Sequence, residues 1–149
     1  MENFPRISQK STNPILKRSK IHLHHQFNHF LYNSSVTIEG IKFFGVPLFI
    51  NDVMKNVDLN HIKAIPSDVN ILITHQPPKD ILDFAKVHWG SPLLKEKVLK
   101  IKPAYHLFGH IHDGYGVKKE KNIVFSNACL VDDHYNLINP PSLFELKLH

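Results

Sequence analysis

Residues 69–78 read Val-Asn-Ile-Leu-Ile-Thr-His-Gln-Pro-Pro, and residues 105–112 read Tyr-His-Leu-Phe-Gly-His-Ile-His. Each stretch begins with a short apolar run, which is typical of strands buried on both faces of a sheet. Between them, Ser91 followed by Pro92 marks the start of a helix, and Pro103 forbids its continuation. The strand–helix–strand order predicts an α/β fold with these two strands at its centre.

Further strands are predicted on both sides of this unit, so the fold is expected to be strand-rich. Residues 36–38 and 41–48 are β-branched and aromatic runs separated by Glu39-Gly40, which indicates a hairpin. A second hairpin is predicted over 116–119 and 123–126, and a final strand over 144–148, where apolar and charged residues alternate. Residues 1–35 show little periodicity. We therefore divide the chain into an irregular leading segment, 1–35, and a folded part, 36–149.

Composition limits the class of protein. The chain has 149 residues, 42% of them hydrophobic, which suits one globular domain. It has no apolar run of the roughly 18 to 20 residues that a membrane span needs, so we expect a cytoplasmic protein without a membrane partner. Cys129 is the only cysteine, which excludes an intramolecular disulfide and a cysteine zinc finger. The net charge of +5 is interpreted as a solvated surface, and a nucleic-acid partner is not expected.

Histidines follow both central strands, at the edge where α/β sheets place their ligand sites. His75, His110 and His112 are therefore candidates for one site. In an extended backbone the rings of His110 and His112 would project to the same face, where two metal ions about 3.5 to 4 Å apart could each take one ring. Gly109 permits a close backbone approach or a positive φ at the strand exit. A Gly-His-x-His tetrapeptide alone is more often structural.

Other candidates have weaker support. Four histidines in the aperiodic leading segment have no carboxylate or cysteine at ligand spacing, and we interpret them as structural or solvated: His22, His24, His25 and His29. Trp89 could line a substrate pocket, although a loop anchor is the commoner role for a single tryptophan. Nothing in the spacing of three aspartates near the motif indicates that they bind metal: Asp113, Asp132 and Asp133.

The order of the motifs is more specific than any one of them. Ile-Leu-Ile-Thr-His75-Gln-Pro-Pro is followed by a helix, by Gly-His110-Ile-His112-Asp-Gly-Tyr-Gly, and then by Asn127-Ala128. This order resembles the calcineurin-like metallophosphoesterases, and within them the animal-type metallophosphoesterase-domain proteins related to class III cyclic-nucleotide phosphodiesterases. The resemblance implies the C-terminal half of a four-layered α/β/β/α sandwich.

The resemblance also implies a function and a set of ligands. It implies a metal-dependent phosphodiester hydrolase that uses two divalent ions, such as Mn, Fe or Zn, on a phosphodiester or nucleotide substrate. His75 and His110 would bind one ion and His112 the other. No catalytic residue is assigned. Asn127 would lie near the site, where a structural hydrogen bond is at least as good an interpretation.

The sequence departs from this family before His75, where none of its Asp-x-His, Gly-Asp and Gly-Asn-His motifs is present. Those motifs supply the carboxylate ligands in the family. We therefore expect a truncated domain that is weakly active or inactive by itself and that needs a missing N-terminal half or an oligomeric partner. The alternative is a non-catalytic metal- or nucleotide-binding paralogue, and a basic nucleic-acid-binding domain is a more distant third hypothesis.

Overall fold

A computed structural model describes residues 29–48 and 58–146. Its strands are β1 (Ser34–Ile38), β2 (Ile41–Val46), β3 (Ile71–Thr74), β4 (Phe84–Ala85), β5 (Val87–His88), β6 (Tyr105–Phe108), β7 (Gly116–Glu120) and β8 (Ile123–Asn127). Its helices are α1 (Asp58–Ala64), α2 (Pro92–Ile101) and a 3-10 turn, η1 (His112–Gly114). Among these described elements, no helix is long and apolar enough to cross a bilayer.

Six strands form one mixed sheet in the order β1-β2-β3-β6-β8-β7. Strands β2, β3, β6 and β8 run parallel, and the antiparallel hairpins β1–β2 and β7–β8 supply the two edges. The β1–β2 turn has positive φ at Glu39 and Gly40, as a two-residue hairpin of the primed type requires. The predictions of a strand-rich α/β fold and of both hairpins are confirmed, while the four-layered sandwich around them stays a prediction.

The core lies on the face of the sheet that the helices cover. Phe44, Leu72 and Phe125 come from three different strands and are each at most 5% exposed. Leu94 and Val98 of α2 are fully buried in the same cluster, as the helical spacing of four residues predicts. Each such side chain stabilises the fold by about 1.5 to 3 kcal/mol. Burial of this face fixes the sheet and therefore the positions of its strand ends.

Both ends of α2 follow their sequence signals. The Ser91 side chain accepts a hydrogen bond from the Leu94 amide, and Pro92 occupies the first turn. Lys102 ends the helix in the left-handed region, with φ 52°, immediately before Pro103. This helix returns the chain to the start of β6, beside β3, so that the two strands run parallel.

The strand predicted over 144–148 is wrong for the residues that the structure describes, because 144–146 form no ladder. The Phe144 ring instead packs against Tyr105, with centroids 5.3 Å apart. The alternation of apolar residues from 144 onward therefore belongs to a segment that packs the Phe144 ring against the sheet and does not form a strand over 144–146. Residues 147–149 lie outside the described residues, as does most of the leading segment. Helix α1 and the hairpin β4–β5 were not predicted.

Candidate metal centre

The exits of β3 and β6 lie side by side. The two strands pair in parallel, with Ile73 opposite Leu107. The chain then continues into His75 after β3 and into Gly109-His110 after β6, and the Gly109 amide donates to the His75 carbonyl at 3.3 Å. This hydrogen bond extends the ladder by one step past the strand ends. Both histidines therefore leave the sheet at the same edge.

His75 and His110 form a contact pair at this edge. Nε2 of His75 lies 3.0 Å from Nδ1 of His110, and the ring centroids are 4.7 Å apart with planes inclined by 57°. Burial lowers the pKa of His75 below its ordinary value of 6.5. Burial also lowers the pKa of His110, with smaller contributions from the nearby His75 and His112. Both rings are therefore neutral at pH 7, which leaves them able to bind a cation through nitrogen.

The geometry of the pair fits one divalent ion. Since imidazole nitrogens bind zinc at about 2.0–2.1 Å, two nitrogens that subtend about 90° to 109° at one ion lie roughly 2.9–3.4 Å apart. The 3.0 Å between the two rings lies within that range. Without an ion, the same separation allows one ring to donate a hydrogen bond to the other. His75 and His110 are thus suited to act as two ligands of one metal.

The backbone around His110 differs from the prediction. We expected an extended path through His110 and His112, and this expectation is wrong; Gly109, which would permit a close backbone approach or a positive φ, does not have a positive φ. The positive φ, 69°, belongs to His110 itself, and His112 begins the 3-10 turn η1. A β carbon at Gly109 would meet only the Cys129 sulfur, at an ordinary 3.5 Å. The chain bends at His110, so the two-residue spacing does not put both rings on one face of a strand.

His112 has a different neighbour. Its Nδ1 lies 3.0 Å from Oδ1 of Asp133, and its ring centroid lies 6.0 Å from that of Tyr135. Across 29–48 and 58–146, no three side chains of His, Cys, Asp or Glu are grouped closely enough to hold a metal ion. The structure thus brings His75 and His110 together and does not add His112 to them. Metal binding by the three histidines stays a prediction.

Buried polar residues that the sequence did not single out hold this edge in place. His106, in the middle of β6, is fully buried, and its Nε2 lies 3.0 Å from the Thr74 hydroxyl. Thr74 in turn donates to the Gln76 carbonyl at 2.7 Å. The chain of hydrogen bonds therefore connects β6 to the backbone on both sides of His75. The only sign of this hydrogen-bond chain in the sequence was a histidine, His106, inside an apolar strand run.

Asn127 joins three segments at the same edge. Its side-chain amide donates to the carbonyls of Leu82 and Ile111 at 3.0 and 2.8 Å, and its side-chain oxygen accepts from the Cys129 amide at 3.1 Å. Asn127 is fully buried. Its observed hydrogen bonds are thus structural, in agreement with the interpretation that left it out of the ligand set.

The loop between β3 and α2 is closed by a buried carboxylate. Asp83, 1% exposed, accepts hydrogen bonds from the amides of Asp80 and Gly90 and from Nδ1 of His88. The Trp89 indole donates to the Ala85 carbonyl at 3.0 Å, and 40% of the tryptophan is exposed. This contact agrees with the interpretation of Trp89 as a loop anchor. A role for Trp89 in a substrate pocket stays a prediction.

A strand-rich α/β sheet with paired histidines at the exits of two parallel strands defines the class of protein as an α/β protein with a candidate metal centre. No protein-family model matches the chain. The chain is 36% identical over 124 residues to a UPF0046 protein of Caenorhabditis elegans, covering 77% of this chain and 42% of that protein. It is 32% identical over 128 residues to metallophosphoesterase domain-containing protein 1 of human and of mouse, covering 78% of this chain and 39% of theirs.

These matches show that the chain is related to the metallophosphoesterase family, as its motifs predicted. The chain spans less than half the length of each of these relatives. A solved structure superposes on 66% of the chain with a TM-score of 0.48 and 15% identity, and this likeness is too low to carry an argument.

Proposed function

We propose that this chain supplies one part of the two-metal site of a phosphodiester hydrolase. His75 and His110 bind one divalent ion, and His112 binds the second. The observation that carries the proposal is the 3.0 Å contact between His75 and His110, two neutral imidazoles at the exits of parallel strands. Kinship with metallophosphoesterase-domain proteins supports the reaction class.

The residues of this chain bind the metal ions and orient the ligating side chains. The Thr74 hydroxyl donates a hydrogen bond to the Gln76 carbonyl, and the Ser91 amide donates one to the Pro77 carbonyl at 3.0 Å. These two bonds fix the backbone that follows His75. The imidazole of His75 consequently keeps its direction without having to be ordered by its ligand. Divalent cations, when bound, polarise a phosphoryl oxygen and activate water for attack on phosphorus.

Charge determines what else the site needs. Neutral histidines do not offset the charge of two dications, and the described residues contain no grouped set of three ligands. We propose that carboxylate ligands come from a further segment or from an oligomeric partner, and that the substrate is a small phosphodiester or nucleotide. The single cysteine, Cys129, supports a cytoplasmic, reducing location for the protein.

Complementation tests this function. Hydrolysis of a chromogenic phosphodiester in the presence of Mn²⁺ is measured for the 149-residue chain alone and after a segment carrying the Asp-x-His, Gly-Asp and Gly-Asn-His motifs is supplied in cis or by co-expression. We expect essentially no turnover by the chain alone and chelator-sensitive turnover by the completed protein. Robust turnover by the purified chain alone, or none after completion, would contradict the proposal.

Point substitutions connect that activity to the site. In the completed protein, His112→Ala is expected to lower turnover by at least about 10- to 100-fold, the loss typical of substitutions around metal ligands. His134→Ala is the matched control, because His134 is an exposed histidine in a nearby loop. Equal losses in both variants would show that the effect does not come from the site.

The alternative is a non-catalytic metal- or nucleotide-binding paralogue. The absence of a three-ligand group from residues 29–48 and 58–146 is the observation that favours it. This alternative predicts that the completed protein binds a metal or a nucleotide and hydrolyses neither a chromogenic phosphodiester nor cyclic nucleotides. The complementation assay therefore separates the two functions.

A further inference from the structure

One ring nitrogen of His112 has an unusual environment. Nδ1 is buried from solvent and forms no hydrogen bond among the described residues. Oδ1 of Asp133 lies only 3.0 Å away, outside hydrogen-bond geometry. Water does not reach this nitrogen, so the carboxylate is the polar group in place to satisfy it. A buried ring nitrogen without a hydrogen-bond partner is unfavourable, and a small rotation of the carboxylate would satisfy it.

The carboxylate can rotate because its surroundings are open on one side. The Asp133 side chain is 81% exposed, whereas the His112 side chain is 20% exposed. The mobile partner of the contact is therefore the carboxylate, and the imidazole is the partner held by packing. Since an ionised carboxylate only accepts hydrogen bonds, the completed contact requires a proton on Nδ1 of His112.

The backbone beneath Asp133 is fixed by its neighbours. Asp132 accepts hydrogen bonds from the amides of His134 and Asn136, at 2.8 and 2.9 Å. The Asn139 side chain donates to the Cys129 carbonyl at 3.0 Å, and this bond fastens the end of the loop. Asp133 consequently stays beside His112 although its own side chain is exposed.

We propose that Asp133 is a positioning residue for His112. Its carboxylate holds the proton on Nδ1, so that Nε2 keeps the lone pair for a divalent cation. A carboxylate behind a ligating histidine fixes the tautomer and raises the basicity of the ring. This inference rests on the proposed function for the role of Nε2, whereas the contact between Asp133 and His112 can be tested without a metal.

The first test measures the tautomer of His112 in the metal-free chain. Long-range ¹H–¹⁵N correlation spectra are recorded at pH 8, where imidazoles are ordinarily neutral. We expect the Nδ1–H form in the wild type and a shift to the Nε2–H form in Asp133→Ala. The matched control is Asp68→Ala. It removes another exposed carboxylate, 69% exposed against 81% for Asp133, which pairs with Lys42 and lies before the start of β3. An Nε2–H tautomer in the wild type, or an unchanged tautomer in Asp133→Ala, would overturn the proposal.

The second test measures the Mn²⁺ affinity of the completed protein, with its carboxylate-bearing segment supplied, as the wild type and with the same substitutions, together with His112→Ala and Asp133→Glu. Asp133→Ala should weaken binding by about 10- to 100-fold, Asp133→Glu should restore part of the loss, and Asp68→Ala should bind like the wild type. Wild-type affinity in Asp133→Ala, with weaker binding in His112→Ala, overturns the positioning role. Unchanged affinity in His112→Ala instead refutes the ligand assignment in the proposed function, and the tautomer measurement then decides the contact by itself.

Discussion

Acid should destabilise this protein through His106. The ring is fully buried, and burial lowers its pKa to about 3. The single hydroxyl proton of Thr74 is donated to the Gln76 carbonyl, so the hydrogen bond between Thr74 and His106 requires the imidazole to donate from Nε2. Nδ1 then carries a lone pair, and it is buried without a hydrogen-bond partner among the described residues. Protonation of Nδ1 would place an unpaired charge in the core.

The magnitude follows from linkage. In the unfolded chain a histidine titrates near pH 6.5, so between about pH 6.5 and pH 3 the unfolded state binds a proton that the folded state refuses. The free energy of unfolding is therefore unaffected by His106 above pH 6.5 and falls by about 1.4 kcal/mol for each pH unit below it. By pH 5 the loss is about 2 kcal/mol, a substantial part of the roughly 5 to 15 kcal/mol that stabilises a typical domain.

Urea unfolding at pH 8, 6 and 5 measures this effect in the wild type, His106→Leu and the exposed control His134→Gln. The stability advantage of the wild type over His106→Leu should shrink by about 2 kcal/mol between pH 8 and pH 5, because only the wild type carries the buried titrating group. The control should follow the wild type. Parallel pH dependences in the wild type and His106→Leu would refute the reasoning, as would a His106 ring proton that titrates above pH 5 in NMR spectra of the folded wild type.

Three further substitutions test the packing of the site. Asn127→Ala should lower the free energy of unfolding by about 2 to 4 kcal/mol, because it leaves the Leu82 and Ile111 carbonyls and the Cys129 amide without their partner. An unchanged denaturation midpoint would contradict this. Gly114→Ala should lower the free energy of unfolding by about 1 to 3 kcal/mol, since its β carbon would overlap the Leu82 carbonyl oxygen. Gly109→Ala, whose β carbon would have its nearest contact at 3.5 Å, is the matched control for overcrowding. Ser91→Ala should cost about 1 kcal/mol by removing the cap of α2, as measured by urea unfolding, and a loss below a few tenths would show that the cap is dispensable.

Much of the fold could be predicted because local signals and burial agree. Ser91 and Pro92 start α2 where the cap rule places it, and Glu39-Gly40 turns the first hairpin. The last segment could not be predicted, because the contact of Phe144 with Tyr105 depends on a tertiary surface that period-two alternation does not reveal. Alternating apolar residues indicate a face to be covered, and an edge strand is only one way of covering it.

The site could be predicted in outline. That His75 and His110 share one edge follows from parallel strands, whose ends converge. The left-handed backbone at His110 could not be predicted, because a non-glycine residue with positive φ is held there by its surroundings and carries no local signal. This bend also explains why the backbone from His110 to His112 is not the extended strand that the two-residue spacing predicted. Asp133 was named only as a loop acid, since its approach to His112 depends on how the loop after β8 folds back.

The proposed function requires His75 and His110 to be ligands of one divalent cation. A crystal structure of the protein loaded with Mn²⁺, with the ion located by its anomalous scattering, tests this most directly. We expect one ion bonded to both Nε2 of His75 and Nδ1 of His110, the two atoms that now lie 3.0 Å apart. An ion bound elsewhere, or a fully loaded protein in which the two rings still share their hydrogen bond, would show that the two histidines do not bind one ion together.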